Sequence, residues 1–196
     1  YRVPAMVRWP GKIKAGAVCN EIVSHLDWLP PFLAAAGDPN IAEKLKKGHT
    51  AGKKTFKVHL DGYNLLPLLT GQESKSPRVS FFYFSDDGDL TGLRYDNWKF
   101  AFMEQRMQGT CAIWAEPLVR LRIPKVFNLR TDPFERADTT SNTYWDWMID
   151  HAFLMIPAQK YVGDFLATFK EFPPRQKAAS FSIDQVLEKL EAGIGD

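Results

Sequence analysis

At 196 residues the chain has room for one large domain, or for a domain and a subdomain. Hydrophobic residues at 45% and charged residues at 24% are ordinary globular values and exclude disorder for most of the length. A net charge of +2 is too small to point to nucleic acid, and no apolar run reaches the roughly 18 residues that a membrane span requires.

Six Trp and fourteen Phe must be buried, either within the chain or against a partner. Cys19 and Cys111 lie far apart and in no metal-type spacing, so a disulfide and two ordinary thiols are equally compatible with them. The opening Tyr1-Arg2-Val3-Pro4 carries neither an initiator Met nor a signal peptide, as expected of an excised or processed piece. Periplasmic, secreted and cytoplasmic locations all stay open.

Val3 to Trp9 is apolar on both faces and stops at Pro10-Gly11, the pattern of a strand buried in a larger sheet. Ser24 with Asp27 has capping-box spacing, and Leu29, Phe32, Leu33 and Ala36 repeat at helical intervals up to Gly37. Pro30 and Pro31 require an irregular first turn there. Residues 38–60 are polar and lysine-rich, predicting a surface loop or a short helix followed by a loop. Asp61-Gly62 then leads to a helical turn at Leu65 to Leu69, ended by Gly71.

From Val79 the texture becomes β. Val79 to Phe84, Thr91 to Tyr95, Trp98 to Met103 and Lys125 to Leu129 predict strands of a small antiparallel sheet, with Asp96-Asn97 as a two-residue hairpin turn. Trp98, Phe100 and Phe102 mark its apolar face. The tail is helical: Trp145, Met148, Ile149, Ala152 and Ile156 keep a 3.6-residue period up to Pro157, and Tyr161, Phe165, Leu166 and Phe169 continue it. Ser182 with Gln185 opens a last helix over 183–192.

The candidate chemistry is sparse. Asp86-Asp87-Gly88-Asp89 is the densest carboxylate group, but it lacks the alternate ligands and closing Glu of a calcium loop, and a solvated turn is the preferred reading. The lysine-rich segment with His49 and His59 suits either an anionic substrate, such as a sulfated sugar, or a charged surface loop, and the loop is preferred. His25 and His151 fit structural roles in helices. Neither Cys has an adjacent cation to activate it, and no nucleophile elbow or phosphate loop is present.

Five segments resemble the formylglycine-dependent sulfatases, the arylsulfatase-like enzymes. Residues 2–11 (RVPAMVRWPG), 23–37 (VSHLDWLPPFLAAAG) and 61–71 (DGYNLLPLLTG) are similar to that family's "RVP" strand, "VSHxD" helix and "DGxSLLPLLxG" element, in the family's order. Residues 93–99 (LRYDNWK) and 126–135 (VFNLRTDPFE) resemble the hairpin and the "DPxE" turn of its C-terminal subdomain.

The resemblance implies an α/β fold, α+β within this piece. It would be the C-terminal part of an alkaline-phosphatase-like sulfatase fold with a small antiparallel sheet and packed helices. Residues 1–75 would carry the last strand and helix of the catalytic α/β domain plus a polar loop, and 76–196 the C-terminal subdomain. In such enzymes a formylglycine made from Cys or Ser in a Cys/Ser-x-Pro-x-Arg motif attacks the sulfate ester, and calcium or another divalent cation neutralises the oxygens.

Neither Cys lies in that motif, and Ser74-Lys75-Ser76-Pro77-Arg78 places its proline one position late. The expectation is therefore a C-terminal portion inactive alone, with no catalytic and no metal residue of its own and no cofactor bound. His49 and Asp87 are the candidate contacts for the non-sulfate part of a substrate. The expected partners are a missing N-terminal catalytic segment, a sulfate ester in the intact enzyme, and a second copy through the Val3–Trp9 edge. The rival readings are a non-catalytic binding or scaffold module on the same fold, and one chain of a split phosphate or phosphonate ester hydrolase.

Overall fold

The computed structural model describes residues 3–107, 115–175, 178 and 187. The chain divides into two units, Tyr1–Phe81 and Phe82–Asp196. The architecture is α/β, with small antiparallel sheets and packed helices, as the sequence predicts.

In the first unit, Ser24 opens a 3-10 turn at His25–Asp27 with the complete capping box: its hydroxyl accepts the Leu26 amide, and Asp27 accepts the Ser24 amide. Helix α1 follows at Leu29–Ala35 with its two prolines in the first turn, where their missing amides cost nothing. Pro30 and Pro31 are buried while Leu29 and Phe32 are more than half or about half exposed, so the inward face is not the one that periodicity predicts. The prolines are drawn in because Gly62 lies directly against this turn. A Cβ there would sit 1.9 Å from the Leu26 carbonyl oxygen and 3.3 Å from the Pro30 ring.

The polar stretch holds more structure than expected. Helix α2 spans Ile41–Lys47, burying Ile41 and Leu45. The hairpin of β1 (His49–Ala51) and β2 (Lys54–Phe56) then pairs Ala51 with Lys54 around Gly52, whose φ of +62° suits a two-residue turn. Helix α3, Leu66–Leu69, is the predicted short turn.

The run Val3 to Trp9 forms no strand, and Met6 is 97% exposed. A doubly apolar strand needs a paired neighbour, and the only other strands wholly within this unit, among the described residues, are bonded to each other. The expected strand edge for self-association is therefore not formed in the chain. The turn at Pro10-Gly11 is present, with the Lys12 and Ile13 amides donating to the Trp9 carbonyl.

In the second unit, β3 (Ser80–Phe84), β4 (Leu90–Tyr95), β5 (Trp98–Glu104) and β6 (Val119–Asn128) form a four-stranded sheet in that order. The β4–β5 turn has its positive φ at Asp96. Leu93 pairs with Phe100 and Phe100 with Val126, and these three side chains make one buried row across the sheet.

Helices α4 (Ala137–Thr140), α5 (Tyr144–Asp150) and α6 (Met155–Ala167) follow. Tyr144, Met148, Leu154 and Ala158 join the row in one core, each large apolar side chain contributing about 1.5–3 kcal/mol. α6 stacks Phe165 on Phe82 and Tyr161 on Tyr95 at 4.1 and 4.6 Å.

Of the predicted tail face only Met148 is buried in the core, while Trp145, Ile149, Ala152 and Ile156 are exposed. A 3-10 step at Ala152–Leu154 breaks the helical phase between α5 and α6, which a single 3.6-residue period does not anticipate. Pro157 lies in the first turn of α6 rather than ending a helix. The helix expected over 183–192 falls outside the described residues, save Leu187.

Gly62 and Gly163 test this packing in opposite directions. Gly62→Ala is expected to lower stability by at least about 2 kcal/mol. Gly163→Ala, in the interior of α6 with nothing within 4 Å of its added Cβ, is expected to raise it by about 0.5–1 kcal/mol. Urea unfolding of both variants checks the pair.

Candidate functional site

Asp27 is completely buried, and the first unit is organised around it. Its Oδ2 accepts the Ser24 amide at 2.8 Å and the Arg78 Nε–H at 2.6 Å. Its Oδ1 accepts the Tyr63 amide at 2.8 Å and the Arg78 Nη2–H at 2.6 Å. Each oxygen thus takes two bonds, which fills a carboxylate's acceptor capacity.

Arg78 directs two further donors to the Asp61 and Ser80 carbonyls, and its guanidinium lies 4.8 Å from the centre of the Tyr63 ring. The neighbouring Ser76 is buried too. Its hydroxyl donates to the Ile22 carbonyl and accepts the Arg78 amide, while its own amide donates to Glu21 Oε2. That amide is the main reason the Glu21 carboxyl sits below its ordinary value; Lys75 adds to the effect against partial desolvation.

The segment Ser74 to Arg78, a near miss of a nucleophile motif by sequence, is therefore a clasp. Its serine holds backbone, and its arginine neutralises Asp27.

The second unit carries two further polar pairs. Lys99, nearly buried on β5, donates to Glu135 at 2.5 Å and sits 4.9 Å from the Tyr83 ring centre. Burial holds its ammonium below the ordinary lysine value, with Glu135 pulling the other way. The folded chain then binds fewer protons than the unfolded one between those two values, so this group's contribution to stability rises as pH rises through that interval.

Lys125, bonded to Glu104 and Asp138, has the opposite sign. Burial disfavours its charge, but the two carboxylates outweigh that and raise it above 10.5. Its contribution is complete below that value and is lost as pH climbs through the folded one.

His49 and Asp87 fall in different units. His49 begins β1, half-buried, and its charge helps hold the Asp38 carboxyl down, although Lys44 is the main cause. Asp87 lies in the turn between β3 and β4. There the Ser85 hydroxyl accepts the Asp89 amide, and Gly88 takes a φ of +87°. His151 stacks on Trp147 at 4.4 Å and bonds the Trp147 carbonyl through Nδ1, a structural position. Cys19 is exposed and unpaired; Cys111 lies outside the described residues.

Among the described residues, no three or more His, Cys, Asp or Glu side chains converge as a metal site would require. These residues do not fit the calcium and formylglycine centre that the resemblance implies for the intact enzyme. No helix among them is long and apolar enough to cross a membrane.

No known family profile matches the chain. Individual proteins do. Arylsulfatase A of Bos taurus is 35% identical over 146 residues, covering 68% of this chain and 25% of that protein. The ulvan-active sulfatase of Formosa agariphila is 35% identical over 190 residues, 85% of this chain and 34% of that protein. A crystal structure of the PsFucS1 sulfatase from Pseudoalteromonas sp. matches with a TM-score of 0.46 at 28% identity, over 59% of this chain and 22% of that one.

The relatives are hydrolases of the sulfatase class. Homology points to the arylsulfatase, alkaline-phosphatase-like sulfatase family, and the chain spans between a quarter and a third of these two relatives' length.

Two experiments probe the buried charges. Asp27→Asn is expected to cost about 3–5 kcal/mol, because Arg78 is left buried without its counter-charge, and Asp27→Leu combined with Arg78→Met should recover much of that loss. A urea midpoint for Asp27→Asn equal to the parent's would refute the node. Glu135→Gln should cost about 1–3 kcal/mol, since it removes the carboxylate that offsets burial of the ammonium, whereas Lys99→Met should cost less than about 1 kcal/mol, since Glu135 can rehydrate.

Proposed function

We propose that the chain is the C-terminal portion of an arylsulfatase-like sulfate ester hydrolase. In this reading the N-terminal part of the intact enzyme supplies the formylglycine nucleophile and the calcium ligands. The observation that carries the proposal is the Asp27–Arg78 node. It ties the "VSHxD" turn and the "DGxSLLPLLxG" element, two of the family-like segments, to the stretch that leads into β3.

A part with this composition works by support. It holds backbone and side chains at the border of a substrate cleft and contributes no group that attacks sulfur. His49 and Asp87 are assigned to contacts with the alcohol part of the ester. His49 offers a half-buried imidazole beside a lysine-rich hairpin, and Asp87 a carboxylate at a turn tip.

The test is hydrolysis of 4-methylumbelliferyl sulfate with added calcium. The 196-residue chain alone is expected to give no turnover above the buffer rate, and turnover by it would overturn the division of labour. The coding sequence immediately upstream is expected to hold an in-frame Cys/Ser-x-Pro-x-Arg motif. In the intact enzyme, His49→Ala and Asp87→Ala should raise KM for an ester of a bulky alcohol several-fold, by about 1 kcal/mol of lost binding. KM for the small aryl sulfate should be unchanged; identical kinetics on both substrates would remove the two residues from the site.

A further inference from the structure

Charge is divided unevenly along the chain. Residues 1–81 hold twelve Lys and Arg against six Asp and Glu, a net +6, while residues 82–196 hold thirteen against seventeen, a net −4. Half of the first unit's excess lies in residues 38–61, where six lysines stand against three carboxylates and no arginine occurs.

That segment is held in a defined shape. The Val58 amide donates to the Leu45 carbonyl at 3.0 Å, which ties the end of the β1–β2 hairpin back to α2. The Thr50 and Thr55 hydroxyls bond across the two strands at 2.9 Å. The three carboxylates are each engaged: Asp38 with Lys44 at 2.9 Å, Glu43 with Lys46 at 3.0 Å and Asp61 with His59 at 3.2 Å. The excess charge is carried outward, since Lys47, Lys53 and Lys54 are exposed.

Strand pairing fixes which side chains share a face. His49 lies opposite Phe56 and Ala51 opposite Lys54, so one face of the hairpin presents His49, Phe56 and Lys54 together, with the two threonines on the other. Phe56 is 41% exposed. Lys53 stands at the turn, and Lys47 ends α2 just before the first strand.

Chemistry narrows the ligand. An exposed lysine holds a single small anion only weakly. Several make a site for a chain that carries many anions, whose released counter-ions add to the attraction. Nucleic acid is a poor match, because its phosphates favour the forked guanidinium that this segment lacks, and successive bases need more than one ring to stack on. An anionic bilayer fits no better, because the turn Ala51-Gly52-Lys53 carries no large apolar side chain to insert. A glycan strand bearing sulfate or carboxylate groups matches each part. It brings anions for the lysines, a C–H ring face for Phe56 and hydroxyls for the His49 imidazole.

We infer that the β1–β2 hairpin is a docking surface for an acidic glycan strand. Lys47, Lys53 and Lys54 take its anionic groups, and Phe56 covers one sugar ring. The surface contributes no catalytic group, and its binding is measured without turnover, so it stands or falls separately from the division of labour proposed above.

The test is fluorescence anisotropy of an end-labelled chondroitin 4-sulfate decasaccharide, titrated with the full chain at about 50 mM salt. Saturable binding is expected, weakened at least about tenfold at about 200 mM salt. Lys53→Gln combined with Lys54→Gln should weaken it about tenfold. Lys12→Gln combined with Lys14→Gln removes the same charge from another exposed stretch of this unit and should change it less than about twofold. Phe56→Ala should weaken binding about threefold and leave its salt dependence unchanged.

A hyaluronan decasaccharide, which has carboxylates alone, separates the two kinds of anion. Binding to it as well assigns the lysines to carboxylates, and binding only to the sulfated strand assigns them to sulfate. The proposal is overturned if the chondroitin strand does not bind, if the two double-lysine variants lose affinity equally, or if Phe56→Ala binds as the parent does. Tighter binding to decathymidylate, or to phosphatidylcholine vesicles with about a third phosphatidylserine, would overturn it in favour of nucleic acid or a membrane.

Discussion

The first unit depends on one buried ion pair. Taking a carboxylate and a guanidinium out of water costs several kcal/mol for each ion, and mutual attraction returns it only when the remaining lone pairs and protons are also bonded. Asp27 and Arg78 meet that condition, because the carboxylate accepts four donors and the guanidinium reaches two further carbonyls. The helices around them are seven, seven and four residues long, too short to persist on their own. Their buried apolar side chains are few: Ile41, Leu45, Leu65 and the two prolines of α1. Geometry that a larger core would impose by packing is imposed here by a saturated polar junction.

The second unit is built the other way. An apolar row across three strands and four side chains from the helical segments make a conventional core, and its polar groups are placed at the margin in pairs. The two lysines of those margins differ in kind. Lys99 is held close to one carboxylate and strains against burial, while Lys125 is over-neutralised by two. Their pH responses have opposite signs in adjoining windows, a gain below the ordinary lysine value from Lys99 and a loss above it from Lys125, so together they favour a stability maximum near that value.

What could be read from the sequence was local. The Ser24–Asp27 box, the first-turn prolines, the stop at Gly71 and the antiparallel strands each depend on residues a few positions apart. The structure reproduces them. The Asp27–Arg78 bond joins residues 51 apart, and no local pattern marks either as buried. Ser76 was hidden further by its superficial likeness to a catalytic motif.

The hairpin at His49–Phe56 lies among lysines that read as a loop, because its strands are three residues long and hardly buried. The outward-facing Trp145, Ile149 and Ile156 show the limit of periodicity. On α5 the inward side is set by Tyr144 and Met148, which leaves Trp145 and Ile149 outward, and the 3-10 step at Ala152–Leu154 then resets the phase before Ile156.

The outer strand of the four-stranded sheet has one more consequence. Between the pairs Ala101–Lys125 and Met103–Arg120, four residues of β6 stand against one of β5, and Pro124, which has no amide to donate, is among them. A few residues on, the Tyr144 hydroxyl occupies the outward amide and carbonyl of Val126. Arg120 and Arg122 add exposed positive charge to the same strand. A neighbouring molecule seeking to extend the sheet would meet a missing donor, an occupied pair and a repelling surface in succession. Polymerisation by sheet extension is thereby blocked on the β6 side, by the local chemistry of one strand rather than by a covering element.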